Sequence, residues 1–199
     1  MSASELAALL ALAASLSFTP GPNTTLSTAL AVNHGLARAL RFVCAVPLGW
    51  GLMLGATTLG LGALVLAVPA LRWAIKLLGT AYLLYLAWVL ARASQMAQAD
   101  ARRLNVTFWQ GVALQFVNIK AWMLALTINS GWIVGHADAS ARLLAVLPVL
   151  LAFAFFSNLT YAAAGALLRH WLAQGRRLLW FNRIIALILL LTALWMLRL

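Results

Sequence analysis

The sequence predicts an all-α, polytopic membrane protein. It is read as six transmembrane helices in a 3+3 inverted repeat, with helices 1 and 4 broken. Three observations carry this. The 199 residues are 65% hydrophobic and only 9% charged, against roughly 45–50% and about 25% in soluble domains. The few charges divide the chain into runs long enough to cross a bilayer. Two of those runs are interrupted by proline or polar residues, at corresponding places in the two halves. So few charges cannot cover a soluble surface, and disorder needs low hydrophobicity. The mean hydropathy of +0.97 agrees.

A helix needs about 20 residues to cross roughly 30 Å of hydrocarbon. Residues 6–37, 42–71 and 143–168 carry no charge. Between Trp73 and Ala91 the only charge is Lys76, between Leu104 and Ala137 it is Lys120, and from Trp180 to Leu199 Arg183 and Arg198 sit near the ends. That makes six spans in a single transmembrane domain covering 1–199. Repeat 1 takes about 1–92, a cytoplasmic loop about 93–104, and repeat 2 about 105–199. No basic segment precedes the first run, which opens near Glu5. The run is therefore expected to be a retained span, not a cleaved signal.

The net charge of +11 does not point to nucleic acid, because the basic residues are scattered singly between apolar runs. They set topology instead. The loops after spans 1, 3 and 5 hold Arg38, Arg41, Arg92, Arg102, Arg103, Arg169, Arg176, Arg177 and Arg183. The other side holds Arg72, Lys76, Arg142 and Arg198. The richer side is expected to be cytoplasmic, with both termini periplasmic, in a bacterial inner membrane. Trp73, Lys76 and Trp88 recur as Trp180, Arg183 and Trp195, 107 residues later. Arg41 and Pro47 recur as Arg142 and Pro148, 101 residues later. A three-span unit used twice must be inverted, a recurrent transporter architecture.

The interruptions carry the chemistry. In span 1, Thr19-Pro20-Gly21-Pro22-Asn23 cannot continue a regular helix: Pro20 and Pro22 lack an N–H and clash with the preceding turn. The carbonyls around residues 16–18 lose their partners and must face protein or a water-filled cavity. In span 4, Gln115-Phe116-Val117-Asn118-Ile119-Lys120 places a cation 16 residues from Leu104 and 17 from Ala137. An isolated mid-membrane cation costs on the order of 3 kcal/mol. The three acidic residues, Glu5, Asp100 and Asp138, lie in loops or near a terminus, so a substrate carboxylate is the expected counter-ion of Lys120. Matched breaks mark a site between repeats, and half-helix N-termini favour anions. Asn23 and Asn118 are expected to hydrogen-bond the substrate.

Ser157, Asn158 and Tyr161 form a third polar group in span 5. Interhelical glue and a place in the substrate site both remain open for Asn158. Gly49, Gly51, Gly55, Gly60 and Gly62 read as close packing, Asn33-His34-Gly35 as a cap and turn, and Cys44 as a small buried hydrophobe. Two glycosylation-like strings, at Asn23 and Asn158, fall within spans. A metal cargo would need carboxylate, imidazole or thiolate ligands, and the spans offer only Cys44. No span holds the nucleophile–base pair an enzyme would need. A purely structural subunit would not need matched breaks. Neither metal nor cofactor is expected.

The string SFTPGPNTTLSTALAVNHG, residues 17–35, resembles the first-span signature of the LysE/RhtB amino-acid exporters, and FWQGVALQFVNIKAWMLALT, residues 108–127, their fourth-span signature. LLGTAYLLYLAW, residues 77–88, looks like their third span. The likeness is greatest to the cysteine/O-acetylserine branch. It implies six helices and efflux of a small zwitterionic amino acid or derivative by alternating access, with protons as the expected drive. Many relatives carry Asn-Pro-Lys in span 4; Ile119 replaces that proline, so a milder second break is expected. With no carboxylate inside a span, proton coupling would have to run through Lys120 or the substrate. Small-residue faces permit a homodimer without requiring one.

Overall fold

A computed structural model describes residues 1–93 and 106–198. Apart from Ala93, the expected cytoplasmic loop lies outside the described residues, with Arg102 and Arg103. The described chain is helical throughout: α1 (Ala3–Phe18), α2 (Pro22–His34), α3 (Leu36–Ala56), α4 (Gly62–Ala67), α5 (Pro69–Arg92), α6 (Phe108–Val117), α7 (Ile119–Ile128), α8 (Ala139–Leu172) and α9 (Arg177–Arg198). The π-helical segments Thr57–Leu61 and Asn129–Ile133 extend α3 and α7. By length and composition four helices can each cross a membrane, and the bent pairs α1–α2 and α6–α7 raise the number to six.

Both broken spans start from a capping box. The Ser2 hydroxyl accepts from the Glu5 N–H while the Glu5 carboxylate accepts from the Ser2 N–H. Thr107 and Gln110 repeat the arrangement at the head of α6. Each box satisfies helix-end donors that would otherwise stay open. The turn after α2 comes at Gly35, whose φ of 85° suits glycine, as the Asn-His-Gly string predicts.

Packing crosses the two halves. The first broken span lies against α8 and the second against α3, while α3 packs on α8 and α5 on α9. One buried cluster draws on Phe42, Leu83, Leu90, Leu189 and Met196. A second draws on Leu9, Trp50, Met53, Trp122, Ile128 and Leu150. Reciprocal amide hydrogen bonds of 2.9 and 3.0 Å join buried Asn33 of α2 to Asn182 of α9. Asn182 also donates to the Ala93 carbonyl at 3.0 Å, tying three helices at one end of the bundle. At the other end Arg142 bridges Asp138 at 2.9 Å and Glu5 at 3.2 Å. The hydrogen bond from Arg142 holds the Asp138 carboxyl below its ordinary pKa.

Large apolar side chains cover the outside, Leu59, Leu144 and Leu167 among them. This suits a surface solvated by lipid tails. Cys44 belongs to that surface: it is exposed, not buried as expected. Its neighbours Phe42, Val43, Ala45 and Val46 take the inward face of α3, which turns position 44 outward.

The close approaches depend on glycine at Gly49 and Gly79. A Cβ at Gly49 would lie 2.5 Å from the Val112 carbonyl oxygen, and one at Gly79 would lie 2.1 Å from that of Val117. At Gly55 a Cβ would meet nothing within 4 Å. Gly79→Ala is expected to destabilise the protein by on the order of 1–3 kcal/mol through this overlap. Gly55→Ala should be neutral or slightly stabilising, because alanine is the better helix former. Thermal unfolding in detergent checks the pair, and equal midpoints would remove the packing argument.

Candidate functional site

The two breaks meet. α1 ends where Pro20 and Pro22 cannot continue it, and α2 restarts with Pro22 at its first turn, where a missing N–H costs nothing. The Thr24 hydroxyl accepts from the Gly21 N–H at 3.0 Å and lies 3.1 Å from the Gly21 carbonyl oxygen. The axis turns by 48° across this break. In the second span only Asn118 leaves helical geometry, with φ −89° and ψ 101°. Yet the axis there turns by 68°, so the expectation of a milder break without proline is corrected. Three residues, Thr19 to Gly21, let the first span re-aim its chain, whereas one extended residue swings the second span sharply. Gly79 makes room by admitting the Val117 carbonyl against α5.

The carbonyls released by the breaks are met by side chains. Tyr161 Oη of α8 donates to the Phe18 carbonyl at 2.9 Å. Lys120 Nζ of α7 donates to the Thr19 carbonyl at 2.8 Å. In the second span the Trp122 indole N–H donates to the Phe116 carbonyl at 2.7 Å. The cation of Lys120 therefore sits at the C-terminal, electronegative end of a half-helix, where it is stabilised. Its partner within the chain is a backbone carbonyl from the other half.

A cavity of about 70 Å³ opens at this junction. Thr19, Gly21, Pro22, Asn23, Asn118, Lys120 and Asn158 line it. Pro20 does not. It faces a neighbouring cavity of about 260 Å³ beside Leu191, Thr192 and Trp195 of α9. Lys120 borders both cavities, and a Cβ on Gly21 would meet its ammonium at 3.2 Å.

The amides differ in what they have left to offer. Asn23 is paired reciprocally with Gln115, Asn23 Nδ2 donating at 2.8 Å and Gln115 Nε2 donating back at 3.3 Å. Asn158 accepts from the Ser27 hydroxyl at 2.9 Å and donates to the Ala154 carbonyl at 2.8 Å, so it joins α2 to α8 while lining the cavity. Asn118 Oδ1 is buried with no hydrogen-bond partner among the described residues, the atom there that most needs a donor. The N-terminal ends of α2, at Gly21, and of α7, at Ile119, lie beside Lys120 and add positive potential there. The junction thus presents donors for an anionic group within reach of an acceptor for a cationic one.

Sequence reasoning gave no site role to Gln115 or Trp50, and named Tyr161 only within the third polar group. Gln115, fully buried, stood in the interrupted string without being given a role. Trp50 lines the cavity from mid-span, and its distance from any span end is the signal that separates it from interfacial tryptophans. Tyr161 follows Asn158 by three residues, which places both on one face of α8.

Broken helices meeting at a polar cavity, inside a bundle with an apolar exterior, define a polytopic membrane translocator. Residues 14–199 match the LysE type translocator family, and the chain belongs to it. It is similar to the cysteine/O-acetylserine efflux protein of Salmonella choleraesuis (strain SC-B67), with 34% identity over 86% of each chain. The Klebsiella pneumoniae protein of that name is 34% identical over 81% of this chain and 83% of its own. The Escherichia coli O139:H28 protein is 32% identical over 86% and 87%. No solved structure matches the chain.

The Asn23–Gln115 pair yields a test. Asn23→Ala strands a buried amide and is expected to cost about 1–3 kcal/mol. Asn23→Ala with Gln115→Leu should cost clearly less than the sum of the two single changes. Unfolding midpoints of the four proteins measure the coupling, and strict additivity would mean the pair does not hold α2 to α6.

Proposed function

We propose that the chain exports small zwitterionic amino acids or their derivatives, of the cysteine and O-acetylserine type, across a bacterial inner membrane by alternating access. The observation that carries this reading is the Lys120 ammonium on the Thr19 carbonyl, beside a cavity where Asn118 Oδ1 has no donor. A substrate carboxylate is the stronger partner for Lys120, because a hydrogen bond between two ions exceeds one to a neutral carbonyl. Asn118 Oδ1 accepts from the substrate ammonium. Thr19, Gly21 and Pro22 supply the opened backbone, Pro20 turns the chain toward α9, and Asn23 and Asn158 shape the walls. The relatives' names support the substrate class.

In this reading loading also moves the protein. When Lys120 turns to the carboxylate, the Thr19 carbonyl loses its donor. The end of α1 is then held by Tyr161 alone and can shift against α8. Lys120 already borders the second cavity, toward α9, which gives the substrate a way out of the first. The two halves act as an inverted repeat, supported by the matched capping boxes and by reciprocal packing of each broken span on the other half. The arginine distribution supports periplasmic termini.

Lys120→Ala is expected to abolish O-acetylserine flux in proteoliposomes, at least a hundredfold, on the scale of losing a buried charged hydrogen bond. The variant should still insert and purify as a folded protein. Cysteamine, which lacks the carboxylate, should fail to compete with cysteine in the unaltered protein. Undiminished flux through Lys120→Ala, or full competition by cysteamine, would remove the carboxylate–lysine contact. Flux that follows an imposed pH gradient would assign the drive to protons, and indifference to it would make the transport facilitated.

A further inference from the structure

On the outer side of the second helix break, α4, α5 and α7 enclose a groove of about 270 Å³. Its walls are Val65 and Leu66 from α4, Ile75 from α5, and Ile119, Met123 and Leu126 from α7. Nothing in these walls suits a polar solute. The rim does not match the walls: Arg72 and Lys76 stand one helical turn apart and both border the groove. The two acidic side chains among the described residues, Glu5 and Asp138, are both taken by Arg142. Neither Arg72 nor Lys76 has a carboxylate partner among the described residues. Lys76 instead lies 5.2 Å from the centre of the Trp73 ring, which holds it near the head of α5.

We propose that this groove binds one phospholipid of net negative headgroup, with an acyl chain along α7 and the phosphate between Arg72 and Lys76. Charge decides the class. A phosphatidylcholine or phosphatidylethanolamine carries its own cation beside the phosphate, and two protein cations at the rim repel it. Phosphatidylglycerol carries none. An apolar groove capped by paired basic side chains at the depth of the headgroups suits such a lipid. The bound chain would lie on Ile119, next to Lys120 in α7, and against Trp122, two residues after it. Trp122 caps the Phe116 carbonyl, so the lipid would bear on the wall of the second helix break.

The second half of the chain supplies a control. Arg183 lies 5.6 Å from the Trp180 ring centre, as Lys76 lies over Trp73. The position one turn before Arg183 is Leu179, so there is one cation where the groove has two.

Native mass spectrometry of the full chain, released from detergent with equal phosphatidylglycerol and phosphatidylcholine of matched acyl length, tests the site. One phosphatidylglycerol should be retained in preference to phosphatidylcholine. Arg72→Gln with Lys76→Gln should weaken retention roughly thirtyfold, and either change alone roughly fivefold. Arg183→Gln should leave it unchanged. The single variants keep the test decisive if the double variant does not fold. Equal retention of the two lipids, an equal loss in Arg183→Gln, or a dimer mass in place of the lipid adduct would overturn the proposal.

Discussion

A helix that breaks inside hydrocarbon must find partners for the backbone groups it releases, and that requirement organises this protein. Each unpaired group costs several kcal/mol where there is no water. The end of α1 is answered by Tyr161 from α8 and Lys120 from α7, the end of α6 by Trp122, and the Gly21 N–H by Thr24. These contacts dictate neighbours. α8 must lie against the first broken span to deliver Tyr161, and α7 must start beside α1 to deliver Lys120. Gly79 has to lack a side chain so that α5 can reach the displaced Val117 carbonyl. Together those partners offset the cost of both breaks in a bilayer.

The side chain that repairs the first break is also the one suited to a carboxylate. Lys120 is stabilised by a half-helix end, through the Thr19 carbonyl. It needs no acidic residue, and the described spans supply none in its reach. A buried Lys–Asp pair there would compete with a substrate carboxylate, whereas a carbonyl gives way to one. The absence of acids near the cavity thus becomes intelligible: the weakness of the resting partner is what leaves the lysine available. The unpaired Oδ1 of Asn118 follows the same logic, since an amide already satisfied, as in Asn23 and Asn158, has little left for a ligand.

Much of this was legible from residue order alone. Runs with few or no charges mark the six candidate spans, Pro-Gly-Pro fixes the first break to within a residue or two, and a lysine in mid-span has to meet something polar. Proline also misled, because its replacement by Ile119 suggested a gentler second break. A bend depends on how many residues leave the helix and on what packs beside them, and neither is written in the string around Asn118. The Asn23–Gln115 pair spans 92 residues of sequence, a separation no local pattern reveals. Cys44 shows the limit of hydropathy in membranes, where both faces of a helix are apolar and composition does not tell lipid from core.

On the proposed repeat, the two halves share a scaffold but divide its chemistry. Each opens with a capping box, breaks its first span, and lays that span on the long proline-containing helix of the other half, α3 with Pro47 or α8 with Pro148. A strictly symmetric pair would place like groups across the cavity, and like groups could not hold the two unlike ends of the zwitterion that the proposed function requires. Divergence resolves this. Repeat 1 supplies the longer break and its released carbonyls, while repeat 2 supplies Lys120, Asn118 and Tyr161. The contacts between the breaks therefore join different chemistry from each half.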